Sequence, residues 1–243
     1  DGSMPNIIAT ACPSTVLLIE RHFPDLIPFL APAVSPMVAH ARMMREIYGP
    51  RIKIVFIGPC IAKKTESTLP DLAGAIDFVL TFQELAAIFQ ATEIDPAGQP
   101  DEENPVASRA GRIYARAGGV SEAVAETLAR ILPKRAGALQ PLKVDGIPQC
   151  QKVLEQAKTG LLDANFIEGM ACLGGCVGGP GRIVSIEQST NAVNDYGTAA
   201  AAATPVENPQ VYQLLTRLGL EMSSSLLNVE SPAGIVLARR IQK

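Results

Sequence analysis

Phe166-Ile-Glu-Gly-Met-Ala-Cys172-Leu-Gly-Gly-Cys176-Val-Gly-Gly-Pro-Gly181 is the stretch on which the reading of this chain turns. A short apolar run, read as a buried strand over Asn165 to Glu168, feeds two cysteines four positions apart. Gly169, Gly174, Gly175, Gly178, Gly179 and Gly181 accompany them. Glycine has no Cβ and tolerates positive φ, so such a segment lets backbone close around a bulky object. A sulfur-ligated inorganic cluster is such an object, and N–H groups in the turn can donate to its sulfurs. The same stretch also reads as a buried glycine-rich turn carrying two apolar cysteines.

The remaining composition narrows the class. With 243 residues, 47% hydrophobic and 19% charged, the chain can build one large domain or two modest ones. A net charge of −3 and an isoelectric point near 5.5 leave no basic footprint for nucleic acid. No run of about eighteen apolar residues occurs, so no membrane span is expected. No signal-peptide pattern is visible, and five cysteines, an odd number, suit a disulfide framework poorly. A reducing cytoplasm is expected, where cysteines serve as ligands or catalysts more often than as bridges. Asp1-Gly2-Ser3-Met4 reads as a cloning remnant over 1–4, which makes the chain an expected piece of something longer.

Outward from the opening stretch, strands and helices alternate. Asn6 to Thr10 reads as a strand, and Ala11-Cys12-Pro13 opens a helix to about His22 with its proline in the first turn. Phe23 to Leu30 is proline-broken connection. Ser35-Pro36 caps and starts a helix to about Tyr48, ended by Gly49-Pro50. Lys53 to Gly58 is a continuous apolar run of the parallel-sheet kind, and it delivers Pro59-Cys60 to a C-terminal strand edge. Ile76 to Leu80 is a strand, with Thr81 and Glu84 forming a capping box for a helix to about Ala91. Asp95 to Ser108 reads as loop. A helix over Ser121–Leu132 follows Gly118-Gly119-Val120. A strand over Leu142–Asp145 precedes a helix over Pro148–Lys158, and Asn208-Pro209 starts a helix to Leu218. The pattern predicts an α/β fold: two lobes of mostly parallel sheet flanked by helices, with the cysteine motifs in the cleft between them. The alanine run Ala199 to Ala203 carries no functional signal.

Cys12, Cys60, Cys172 and Cys176 each follow a short apolar strand with Pro or Gly beside them, and four thiolates complete the ligand set of a cubane iron–sulfur cluster. Structural zinc also takes four thiolates, usually from paired short knuckles, and only one close pair occurs here, which favours the cluster. Cys150 lies within a helix without such a cradle and reads as a small buried hydrophobe.

Taken in order, Thr10-Ala11-Cys12-Pro13, Gly58-Pro59-Cys60-Ile61-Ala62-Lys63-Lys64 and Glu168-Gly-Met-Ala-Cys172-Leu-Gly-Gly-Cys176-Val-Gly-Gly resemble the three signatures of the iron-only (FeFe) hydrogenase catalytic domain. Ser35-Pro36, Phe78 to Leu85 and Gly118-Gly119-Val120 are similar to the same family's pattern, so the resemblance runs from Ile7 to about Leu218. It implies that 5–243 is a partial H-cluster domain, possessing two sub-lobes. It further implies that Cys12, Cys60, Cys172 and Cys176 hold a 4Fe–4S cluster and that Cys176 bridges to a two-iron subcluster carrying CO and cyanide. Lys63 would hydrogen-bond a cyanide, with Ser35 and Met170 near the cofactor. A buried lysine needs an anion in any case, and an anionic cluster supplies one.

Departures from the family pattern shape the expected role. The proton-passing cysteine of catalytic members is replaced by Ala11, and the serine that continues its path by Ala31. Met37 stands where the family has glutamine and Gly58 where it has methionine. Ligands kept beside a dismantled proton relay are similar to the sensory branch of the family. The expected partners are then hydrogen or protons and electron-transfer or signalling domains of the same longer chain, with no nucleic acid and no membrane. The alternative is a redox or structural module carrying only a 4Fe–4S cluster; a cluster-free interaction scaffold is the third reading.

Overall fold

The computed structural model describes residues 6–100, 106–219, 232–239 and 241. Residues 1–4, expected to be a cloning remnant, and residues 101–105 of the expected 95–108 loop lie outside them.

The chain enters at β1 (Ile7–Ile8) and turns at Cys12-Pro13 into α1 (Pro13–His22). It passes through a proline-rich 3-10 turn, Pro24–Phe29, to α2 (Pro36–Tyr48). Next come β2 (Val55–Ile57), α3 (Ala62–Glu66), β3 (Phe78–Leu80) and α4 (Phe82–Ala91). The short α5 (Arg109–Arg112) leads to α6 (Gly119–Ile131), α7 (Pro133–Ala136), β4 (Pro141–Asp145), α8 (Ile147–Lys158) and β5 (Phe166–Met170). The glycine-rich loop then runs into α9 (Ile186–Thr198), α10 (Pro209–Arg217) and α11 (Pro232–Leu237).

The strands form two parallel sheets, one in the order β1-β5-β4 and the other of β2 and β3. Central β5 is buried at every position, as a strand covered on both faces must be. Ile8, Val16, Ile19, Leu154 and Ile167 form a core between that sheet and helices α1 and α8. A second core, with Val38, Leu72 and Val79 at its centre, lies between α2 and the two-stranded sheet.

The expected α/β architecture of two parallel sheets flanked by helices is therefore observed. The capping box of α4 is also present: Glu84 N–H donates to Thr81 Oγ1 at 3.1 Å and Thr81 N–H to Glu84 Oε2 at 2.7 Å. Three local expectations need correction. The run over 53–58 yields only three strand residues, and Val55, Ile57 and Phe78 are exposed. A two-stranded sheet has one covered face, so apolar residues alone do not imply burial on both. Ser35 stands at the N-cap of α2, yet its hydroxyl makes no capping bond. Helix α9 was not anticipated. Its sequence is polar on most faces, and only the Ser185–Gln188 capping box marks its start. The alanine run is used through its backbone, because Ala202 and Ala203 carbonyls accept from Arg109 and Ala110 N–H at 2.8 and 2.9 Å.

Glu168, inside β5, fixes the orientation of α6. Its carboxylate is 1% exposed and accepts from Gly118 N–H at 2.8 Å and Ser121 N–H at 2.7 Å, the orphan donors of the helix N-terminus. Glu168→Ala strands both donors in the interior and is expected to cost about 3 kcal/mol. Urea unfolding measures it, and a loss below about 1 kcal/mol would contradict the assignment.

Candidate metal centre

Each cysteine motif begins where a parallel strand ends. β1 runs out to Cys12, which is the N-cap of α1. β2 runs through Gly58-Pro59 to Cys60, and β5 ends at Met170 just before Cys172. Brought together, Cys12, Cys60, Cys172 and Cys176 line a single recess, with Lys63 and Met170 in its walls. The recess is small, and its walls come from all three cysteine motifs.

The two lobes meet around the glycine-rich loop. Gly181 N–H donates to Pro59 O at 2.8 Å, and Gln83 N–H to Gly181 O at 3.2 Å. A Cβ at Gly179 would stand 2.5 Å from Pro59 O, and one at Gly175, where φ is +82°, would stand 2.5 Å from Ala117 N. These two glycines also line the recess. Bare backbone at these positions lets the third motif pack on Pro59 of the second and on Arg116–Ala117.

Burial pushes the Cys60, Cys172 and Cys176 thiols up, Cys176 to about 12. Backbone N–H groups of Lys63 and Ala62 act against burial at Cys60. Partial desolvation of this kind favours the neutral thiol over the thiolate at all three positions. Among the described residues, no three His, Cys, Asp or Glu side chains converge closely enough to hold a single metal ion. Four thiols around one recess supply the number and kind of ligand that a cubane iron–sulfur cluster takes. No disulfide joins any of the five cysteines.

Lys63 is 5% exposed, and its ammonium lies 2.8 Å from Glu66 Oε2 and 3.5 Å from Ala11 O. The anion expected for this buried lysine is thus present within the protein. Glu66 was missed in the sequence, although its place three residues after Lys63 on a helix is a pairing signal. Ser35 does not line the recess, and its buried hydroxyl has no hydrogen-bond partner among the described residues. Ala31 is away from the recess, with its N–H on Ile8 O at 2.8 Å, and Met37 packs in the second core. Ala11 packs beside Cys12, and Cys150 is buried outside the recess.

Residues 2–180 match the family described as iron only hydrogenase large subunit, C-terminal domain. The chain is 27% identical over 263 residues to the NADP-reducing hydrogenase subunit HndD of Solidesulfovibrio fructosivorans, covering 89% of this chain and 45% of that protein. It is 24% identical over 267 residues to cytosolic iron-sulfur assembly component 3 of Pongo abelii, covering 86% of this chain and 54% of that one. A variant of FeFe-hydrogenase HydA1 from Chlamydomonas reinhardtii superposes with a TM-score of 0.72 at 23% identity, over 98% of this chain and 76% of that one. The chain thus spans about half the length of the curated relatives it matches. No helix among the described residues is long and apolar enough to cross a membrane. With three cysteine motifs at strand ends and a family match over most of its length, the chain belongs to the family formed by the C-terminal domain of the iron-only hydrogenase large subunit.

Proposed function

We propose that this domain holds a 4Fe–4S cluster on Cys12, Cys60, Cys172 and Cys176 as the anchor of an H-cluster, and that its role is hydrogen sensing or slow hydrogen chemistry in the cytoplasm. The observation that carries the reading is four thiols and a buried lysine around one recess, with an alanine at position 11 beside the first of them. When bound, the cofactor supplies one-electron storage next to a two-iron unit at which hydrogen is formed or split. Cys176 would be the bridging ligand. Lys63 would present its ammonium to a cyanide while Glu66 holds the chain of that lysine in place. Met170, 2% exposed, supplies an apolar wall that keeps water away. Ala11 can neither give nor take a proton, so delivery to the site is slow. Change at the cofactor would then be passed to electron-transfer or signalling domains of a longer chain.

Infrared spectra of the anaerobically matured full-length protein test the two-iron unit: CO and cyanide bands are expected, and their absence from protein that carries iron and sulfide would exclude it. That outcome would favour the second reading, a module with only the 4Fe–4S cluster. The Lys63–Glu66 pair supports this reading, because the lysine is neutralised without any cyanide. The relay is tested separately. Ala11→Cys in the matured protein is expected to raise hydrogen evolution about a hundredfold, the scale of a restored proton donor. An unchanged rate would show that position 11 does not limit turnover.

A further inference from the structure

Cys150, on α8, is 1% exposed and takes no part in the recess wall. Its thiol donates to Met170 O at 3.4 Å. The N–H of that same peptide unit, contributed by Ala171, donates to Sγ of Cys12 at 3.5 Å. One peptide therefore joins the two sulfurs, with Cys150 on its oxygen and Cys12 on its hydrogen. The oxygen accepts a second bond from Gly146 N–H at 2.9 Å.

The surroundings hold this arrangement in place. Thr15 Oγ1 donates to the preceding carbonyl, Gly169 O, at 3.0 Å, so α1 and α8 both grip the end of β5. A Cβ at Gly169 would stand 2.9 Å from Thr15 Cγ2 and 3.9 Å from Cys150 Sγ; the bare backbone there permits the close approach. Donors on a peptide oxygen draw electron density from its nitrogen and make the N–H a stronger donor. Hydrogen bonds to ligand sulfurs stabilise the extra negative charge of a reduced cluster and raise its potential.

We propose that Cys150 is a positioning residue that acts through the Met170–Ala171 peptide on Cys12 and raises the reduction potential of the cluster bound there. The proposal rests on Cys12 being a cluster ligand. Cys150 then has a place in the site without touching the metal, and packing alone does not describe it.

The test compares the reconstituted protein with Cys150→Ala and Cys150→Ser. Iron and sulfide are counted and the one-electron reduction by dithionite is followed in a redox titration. All three proteins are expected to load iron and sulfide equally. At a fixed potential, the reduced-to-oxidised ratio is expected to fall about two- to fourfold in Cys150→Ala, the effect of weakening one charge-assisted hydrogen bond by a tenth to a third. Cys150→Ser keeps a donor for Met170 O and is expected to restore the ratio, which a purely space-filling cysteine would not require. In the metal-free protein, the Ala171 amide proton is expected to move upfield in Cys150→Ala and to return in Cys150→Ser. Full loading with an unchanged potential in Cys150→Ala would overturn the relay alone. Failure of the parent protein to load iron would overturn the ligand reading, and the proposal with it.

Discussion

Cys176→Ser is expected to lower bound iron and sulfide from about four of each per chain to below about one. Position 176 closes the recess from the third motif. A serine hydroxyl is a poor substitute, since it ionises far less readily and is a hard ligand for iron. The neighbouring backbone offers no replacement: Gly175 and Gly179 are pinned against Arg116–Ala117 and Pro59. Cys150→Ser is the control, since Cys150 is more deeply buried yet outside the recess, and it is expected to keep its iron and sulfide. Equal loss in both variants would mean that the cysteines matter for folding rather than for ligation.

Lys63→Met is expected to destabilise the metal-free chain by about 3–5 kcal/mol, a loss that equilibrium urea unfolding can read. The side chains of Lys63 and Glu66 are 7% and 2% exposed, and their charged atoms meet at 2.8 Å. Removing the cation leaves the carboxylate in the interior without its partner, and that unpaired charge dominates the cost. Pairing the change with Glu66→Leu removes both charges, and the double variant is expected to regain most of the lost stability. A single variant within about 1 kcal/mol of the parent would show that water or another group serves Glu66.

The fold was legible where local chemistry is strong. Proline at a first helical turn placed the starts of α1 and α2, and Thr81 with Glu84 placed α4. Thr10-Ala11-Cys12-Pro13 and Gly58-Pro59-Cys60 marked strand ends that do meet, together with Cys172 and Cys176, at one recess. Long-range pairings were not legible, because nothing in the local sequence reports them. The Glu168 carboxylate reaches across to the start of α6, 47 and 50 residues away along the chain. That Gly175 and Gly179 also pack on Arg116–Ala117 and Pro59 was equally hidden, because those segments are distant in the sequence. The apolar run over 53–58 suggested a strand of the buried parallel-sheet kind; a sheet of two strands leaves Val55 and Ile57 in solvent. Cys150 shows the same limit, since its helix gives no hint that a peptide of β5 connects it to Cys12.

The central claim is that the recess holds a four-iron cluster. Iron and acid-labile sulfide counted on the anaerobically reconstituted parent chain, with electron paramagnetic resonance before and after dithionite, test it most directly. About four irons and four sulfides per chain are expected, with a cluster signal that appears on one-electron reduction. Zinc bound at one per chain, or no iron retained after gel filtration, would contradict the account.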